Sequence, residues 1–146
     1  MEKVVEKLNV YLADLNVFYR KLQNYHWNVD GRNFFTIHAK LEEYYNEVNE
    51  NIDTIAERIL SIGANPYGTM KKYLEITQIK EATDESITDL EIVEVIKKDF
   101  EYLLKEVKEI KAIADEAVDY GTSSIVDEMI IDYEKKLWML SAFLIK

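Results

Sequence analysis

The sequence predicts an all-α protein, a four-helix bundle formed by one domain over residues 1–146, and three observations carry that prediction. Apolar residues recur at three- and four-residue steps in four long segments, and almost nothing alternates with period two. Only four glycines and one proline occur, and they stand between those segments, where helices must stop. With 48% apolar and 32% charged residues, the chain can bury one core and still present a solvated surface.

Each element can be justified in order. Val5, Leu8, Leu12, Leu15, Tyr19 and Leu22 lay one stripe along a first helix of about residues 3–28, and His26 takes the next place on it. After the Asp30-Gly31 turn signal, Phe34, His38, Leu41, Tyr45, Val48, Ile52, Ile55 and Ile59 mark a second helix, stopped by Gly63 and Asn65-Pro66. Residues 64–88 are turn-rich. Within them TMKKYLE is long enough for about two helical turns, and TDESITD supplies cap residues for the next long helix. Ile92, Ile96, Phe100, Leu103, Val107, Ile110 and Ala114 define that third long helix, which Tyr120-Gly121-Thr122 is expected to break. Ile125, Met129, Tyr133, Leu137, Leu140 and Leu144 define the last. Short turns make the first and second, and the third and fourth, antiparallel pairs, and a long crossover between two such hairpins is the ferritin-like variant of the bundle.

Composition narrows function. No cysteine is present, so disulfides and thiolate metal sites are excluded, and a transition-metal site would have to use imidazole and carboxylate. MEKVVEKL lacks the basic-then-apolar run of a secretory signal, and no apolar stretch approaches the roughly 18 residues that span a membrane; a soluble, cytoplasmic protein is expected. A formal charge of −10 argues against nucleic acid as the default partner and favours cations. The ten tyrosines and two tryptophans are expected mostly to fill core or interface space.

Both histidines of the chain, His26 and His38, flank the Gly31 turn, twelve positions apart. At the end of one helix and the start of the next they face one another, close enough to share a metal or a carboxylate; a purely structural pair is the alternative. Asp53 and Glu57, four apart on the second helix, share one face beside its apolar stripe, where a solvated face paired with Arg58 is the plainer reading. Distance separates the two pairs: fifteen residues at 1.5 Å each put His38 about 22 Å from Asp53. One chain therefore cannot bring them to one ion. Their directions differ by only about 60°, so two second helices packed antiparallel about a two-fold axis would bring His38 of one chain to Asp53 and Glu57 of the other, giving two identical sites. Glu42, one turn after His38, is an additional candidate ligand. The Glu-x-x-His pairs of intra-bundle di-iron proteins are absent, since Gln23 and Phe35 stand three before the histidines. Two imidazoles with carboxylates suit iron or zinc better than calcium or magnesium.

These residues resemble a family. His26-Trp27-x-Val29-x-Gly31-x-x-Phe34-x-x-x-His38 followed by Asp53-x-x-Ala56-Glu57-Arg58 is similar to the Dps-type mini-ferritins, the starvation-induced iron-storing and DNA-protecting proteins, and the likeness extends over nearly the whole chain through GTMKKYLE and EKKLWML. The resemblance implies a hollow shell of twelve subunits with dinuclear ferroxidase centres at two-fold interfaces, His26 and His38 from one subunit and Asp53 and Glu57 from its partner. It implies oxidation of Fe(II), preferably by hydrogen peroxide, and storage of ferric mineral in the cavity; by ligand type alone, zinc is a possible substitute metal. Trp27 becomes a candidate electron donor, with Trp138 or nearby tyrosines as further donors; core packing is the alternative for both tryptophans. Iron would enter through three-fold pores lined by acids near the start of the last helix, here Asp119 and Asp127, with Asp115, Glu116 and Glu128 as further candidates; many relatives have an acid shortly after a Gly-Thr pair, where this chain has Ser123 and Ser124. Members that bind DNA directly use lysine-rich extensions, and both termini here are short and nearly balanced. Lys71-Lys72 and the row Lys105, Lys108, Lys111 read as solvated faces, so direct DNA binding is not expected. The competing reading is a DNA-coating or structural shell whose metal site is vestigial or holds zinc.

Overall fold

The computed structural model describes residues 1–145 and consists almost entirely of helix. Its elements run α1 (Glu2–Asn28), β1 (Val29–Asp30), α2 (Phe34–Ser61), α3 (Met70–Ile76), β2 (Ile87–Thr88), α4 (Asp89–Glu116) and α5 (Tyr120–Phe143). The most extensive packing joins α1 to α2 and α4 to α5, the two expected hairpins, and α3 lies in the crossover against α1. No described helix is long and apolar enough to cross a membrane.

The predicted stripes of α1 and α4 supply the core, except that Val5 and Tyr19 of α1 are half-buried. Leu8, Leu12, Leu15 and Leu22 of α1 and Ile92, Ile96, Phe100, Leu103, Val107, Ile110 and Ala114 of α4 are all buried. Around Phe100 the rings of Phe18, Tyr44 and Tyr133 lie 5.1–5.7 Å away, two of them edge-on, and the Tyr11 and Tyr133 hydroxyls bond each other inside the core. α1 is buried on more than its stripe, since Tyr11 through Leu15 are all enclosed. The crossover covers its outer side. Asp14 ties the two together by accepting the Thr77 hydroxyl (2.7 Å) and the Gln78 N–H (2.8 Å).

The structure corrects four expectations. In α2 the buried stripe is Ile37, Leu41, Tyr44, Val48, Ile55 and Ile59; Phe34, His38, Tyr45 and Ile52, placed on the stripe from spacing, form a half-buried flank beside it. That flank leaves part of its apolar area exposed. In α5, Ile125, Leu137 and Leu144 are likewise half-buried while Val126 and Lys136 are enclosed. A two-residue parallel bridge, Val29 to Ile87 and Asp30 to Thr88, clips the connection between α1 and α2 to the crossover, too short to leave a periodic trace. Finally, Tyr120, Gly121 and Thr122 do not break the chain but form the first turn of α5.

The break falls at residues 117–119 for a physical reason. α2 ends with Gly63 at φ +88 and the Ala64 N–H returned to the Ile59 carbonyl at 3.1 Å, the glycine closure its sequence announces. α4 closes the same way, Asp119 N–H to Ala114 carbonyl at 2.8 Å, but Val118 holds the left-handed position at φ 58. A β-branched residue there gives no sequence signal. Gly121 serves another need: a Cβ at that position would stand 2.5 Å from the Arg58 guanidinium.

Candidate metal centre

His26 lies in the last turn of α1 and His38 in the first turns of α2, and the turn between them brings the rings face to face, 3.7 Å between centroids and 13° from parallel. The bonding is reciprocal: the Nδ1 of each ring stands 2.7 Å from the other residue's backbone carbonyl oxygen. A carbonyl only accepts, so both Nδ1 atoms carry hydrogen and donate, and in a neutral ring the lone pair is then on Nε2. Orienting bonds of this kind select the tautomer of metal-bound histidines. Phe34 stacks on the far face of His38 at 5.0 Å, and Tyr45 sets its edge against His26 at 5.4 Å.

Glu42, largely exposed, stands beside the pair. Its Oε1 lies 3.9 Å from His26 Nε2, and the Tyr45 hydroxyl faces the same oxygen at 3.4 Å. The Tyr45 phenol is pushed up from its usual range by burial and then by the Glu42 charge.

Asp53 and Glu57 lie farther along α2, both exposed, and neither side chain has a hydrogen-bond or ion-pair partner within the chain among the described residues. The solvated pairing with Arg58 does not form. Arg58 turns the other way, donating from Nη2 to Asp119 Oδ1 at 2.8 Å and from Nε to the Thr122 hydroxyl at 3.0 Å. Among the described residues no three His, Asp or Glu side chains gather to hold a metal within one chain. The two pairs stand as far apart as the helix rise requires, and the half-buried flank of Phe34, His38, Tyr45, Ile52 and Ala56 runs between them.

The remaining candidates divide. Trp27 is 61% exposed with the Arg20 guanidinium 5.9 Å over its ring, and Trp138 is 65% exposed, so neither fills the core of the chain. Asp119 is enclosed: it caps α5 through the Thr122 N–H (3.2 Å) and pairs with Arg58. Burial works against its charge, yet the Thr122 and Arg58 donors together hold its carboxyl below the ordinary value. Asp127 faces solvent and pairs with Lys111 at 2.7 Å; Asp115, Glu116 and Glu128 are exposed beside it. Of the lysine row, Lys108 pairs with Glu134 and Lys111 with acids, as a solvated face does.

One residue of this region is missed by sequence reasoning. Asp89, buried at the start of α4, accepts the Asn33 N–H on Oδ2 at 2.9 Å and so reaches the turn between the histidines. Thr88 and Glu91 announce a helix start there, and Thr88 does cap it, but nothing local shows that the next carboxylate serves a turn 56 positions away.

A family model described as Ferritin-like domain matches residues 5–146. The chain is 46% identical over 143 residues to DNA protection during starvation protein 2 of Bacillus anthracis, covering 98% of this chain and 97% of that one. It superposes with a TM-score of 0.95 on a crystal structure of a Dps protein from Bacillus brevis, 45% identical, covering 99% of this chain and 96% of that one. A Dps protein from Vibrio cholerae, described as a member of a broad superfamily of ferritin-like diiron-carboxylate proteins, gives a TM-score of 0.95 at 40% identity, covering 99% of this chain and 90% of that one. The chain belongs to the Dps-type mini-ferritins, within the ferritin-like diiron-carboxylate superfamily.

Proposed function

We propose that this protein is a ferroxidase and iron store that assembles as a cytoplasmic shell of twelve subunits and oxidises Fe(II), preferably with hydrogen peroxide, at dinuclear centres on its two-fold interfaces. The observation that carries the reading is the histidine pair: two imidazoles locked by each other's carbonyls so that both Nε2 lone pairs are free, with a carboxylate 3.9 Å from one of them. A purely structural pair has no need of a carboxylate so near. His26, His38 and Glu42 of one subunit, with Asp53 and Glu57 of its partner, supply imidazole and carboxylate in the mixture that suits iron, and they would hold zinc as a competitor.

The exposed, unpartnered state of Asp53 and Glu57 and the uncovered flank between the two pairs support completion by a second copy about a two-fold axis. Iron is the substrate. Two Fe(II) ions each give one electron, the O–O bond of one peroxide accepts both, and its oxygens leave as hydroxide or water while the carboxylates balance the charge gained by the metal. The ferric product passes to the cavity as mineral. Consuming Fe(II) and peroxide together removes the two reagents that make hydroxyl radicals, which protects DNA without contact. Trp27, exposed beside the first ligand, is the candidate donor of a stray electron. Iron enters along acids at the start of α5: Asp127 and its neighbours face solvent there, and Asp119 shapes the helix start behind them.

The test is anaerobic Fe(II) loading followed by peroxide, with ferric absorbance followed for wild type, His38→Ala, Asp53→Ala and shells reassembled from the two variants mixed. Fast oxidation by wild type, slow oxidation by each variant and partial recovery in the mixture are expected, because a mixed two-fold pair keeps one intact site. A mixture as slow as its parents would refute the inter-subunit centre. Gel shifts with the iron-free shell at moderate salt are expected to show no retained DNA.

A further inference from the structure

Asp89 makes contacts that its role as the first residue of α4 does not require. It is 7% exposed, its Oδ1 accepts the Leu90 N–H at 2.8 Å, and its Oδ2 accepts the Asn33 N–H at 2.9 Å. Gly31 lies directly on the carboxylate: a Cβ there would be 2.6–2.8 Å from its three atoms, and at φ +134 the backbone already excludes most side chains. The bridge of Val29 to Ile87 and Asp30 to Thr88 holds the same two segments together. The Asn33 bond is the first cause that holds the Asp89 carboxyl below its ordinary range. Its charge also sits where the α4 dipole favours an anion.

The turn gripped in this way is the one that separates His26 from His38. Their mutual hydrogen bonds fix each ring relative to the other, Phe34 and Tyr45 pack on the pair from α2, and the Asp89 grip and the bridge beside it hold the turn joining the two helix ends to α4. The bundle frame matters, because the other carboxylates of the centre would come from a second subunit docked on that frame. A displacement of about 1 Å at a reacting site can cost up to about 100-fold.

We propose that Asp89, seated under Gly31, is a positioning residue of the metal centre: by fastening the 29–33 turn to α4 it sets the direction in which both histidine Nε2 atoms meet the metal. This rests on reading His26 and His38 as iron ligands. Asp89 touches no metal and acts only through the turn.

The test uses the assembled shell of wild type, Asp89→Ala, Asp89→Asn and Gly31→Ala, with Ile96→Val as a core control in the same helix. Asp89→Ala is expected to raise the Fe(II) concentration for half-maximal peroxide-driven oxidation by about tenfold or more, the effect of losing a group that orients metal ligands, with a smaller change in the rate at saturating iron. Asp89→Asn keeps one oxygen for the Asn33 N–H and should recover part of the loss. Gly31→Ala should reproduce the loss from the other side of the contact, and Ile96→Val should lower the melting temperature without moving half-saturation. A wild-type half-saturation in Asp89→Ala, or an equal shift in the core control, overturns the proposal. Calorimetric titration of Zn²⁺ into the same iron-free shells reads the histidine geometry without oxidation. If wild type oxidises no iron, the ferroxidase reading fails, yet Zn²⁺ affinity unchanged between wild type and Asp89→Ala would still refute the clamp, and weakened affinity would support it. Should Asp89→Ala fail to assemble, Asp89→Asn and Gly31→Ala decide the same question by the same two measurements.

Discussion

The two ends of α2 carry the two halves of the candidate centre in opposite states. At its start His38 is stacked between His26 and Phe34 and hydrogen-bonded through Nδ1 before any metal arrives. Toward its other end Asp53 and Glu57 are exposed and, among the described residues, without a side-chain partner. The difference follows from the chemistry of the donors. An imidazole has two nitrogens and one proton, and the wrong tautomer cannot bind, so the protein must choose in advance. A carboxylate offers two equivalent oxygens and costs least to fold when water solvates it, so it can be left free until a second subunit covers it. One half of the site is therefore prebuilt, and the other waits for assembly.

The largest expected effect tests how sharply that contrast is drawn on adjacent residues. Glu57 is exposed, while Arg58 beside it reaches inward to the enclosed Asp119 and the Thr122 hydroxyl. Arg58→Ala strands a buried carboxylate and is expected to cost about 3 kcal/mol. Glu57→Ala should change stability by no more than about 0.5 kcal/mol. Urea unfolding at equal protein concentration measures both. The pH dependence has a definite sign: Asp119 is depressed in the folded chain, so its contribution is present above its ordinary value of 3.8 and is lost as pH falls through the lower folded value. Equal losses for the two variants would erase the distinction between structural and waiting charges along α2.

A second comparison separates the halves by function and stability together. His38→Ala and Asp53→Ala are each expected to slow peroxide-driven iron oxidation by about 100-fold, the upper end of what even groups outside the ligand shell contribute. Only the histidine variant should also destabilise the fold, by about 1–2 kcal/mol, because it strands the His26 carbonyl and removes the stacked ring. Parallel rate and denaturation measurements decide this. A destabilised Asp53→Ala would mean that the carboxylate half is built within the chain after all.

How much of this was legible in the sequence depends on the range of the interaction. Leu8, Leu12, Phe100 and Val107 report their burial through spacing alone, and His26 and His38 report their meeting through the Gly31 turn, because helix geometry converts sequence distance into space. The same geometry shows that Asp53 cannot reach His38. Three features lie outside its reach. Val118 takes a position that glycine normally announces. Ile37 and Tyr44 displace His38 and Tyr45 from the buried stripe by one residue, a rotation that a pattern of mixed aromatic and aliphatic residues does not resolve. Asp89 meets Asn33 only because the crossover returns over the first turn, and its neighbours explain a helix cap without it.

A carboxylate that is neither solvated like Asp53 nor supplied with donors like Asp119 sharpens the contrast further. Glu106 is 5% exposed; the Tyr102 hydroxyl, whose one proton is aimed at Asp14 Oδ2 at 2.8 Å, stands 3.2 Å from Oε2, and Oε1 has no partner. Burial, and next to it the Asp14 carboxyl, push its acid up to about 10 from an ordinary 4.5. The folded chain thus keeps a proton there that the unfolded chain releases, so the contribution is fully present below 4.5 and is lost as pH rises toward about 10. Glu106→Gln is nearly the same size, does not titrate, and presents an amide N–H₂ that can donate to Asp14. The variant should therefore match wild type near pH 5 and exceed it by a margin that widens as pH rises, at least about 1 kcal/mol near pH 9, the value of one buried polar group relieved. Urea midpoints across that range measure it. Parallel curves for the two proteins would show that Glu106 is ionised and satisfied in the fold, and that burial without donors is not a third state for carboxylates in this bundle.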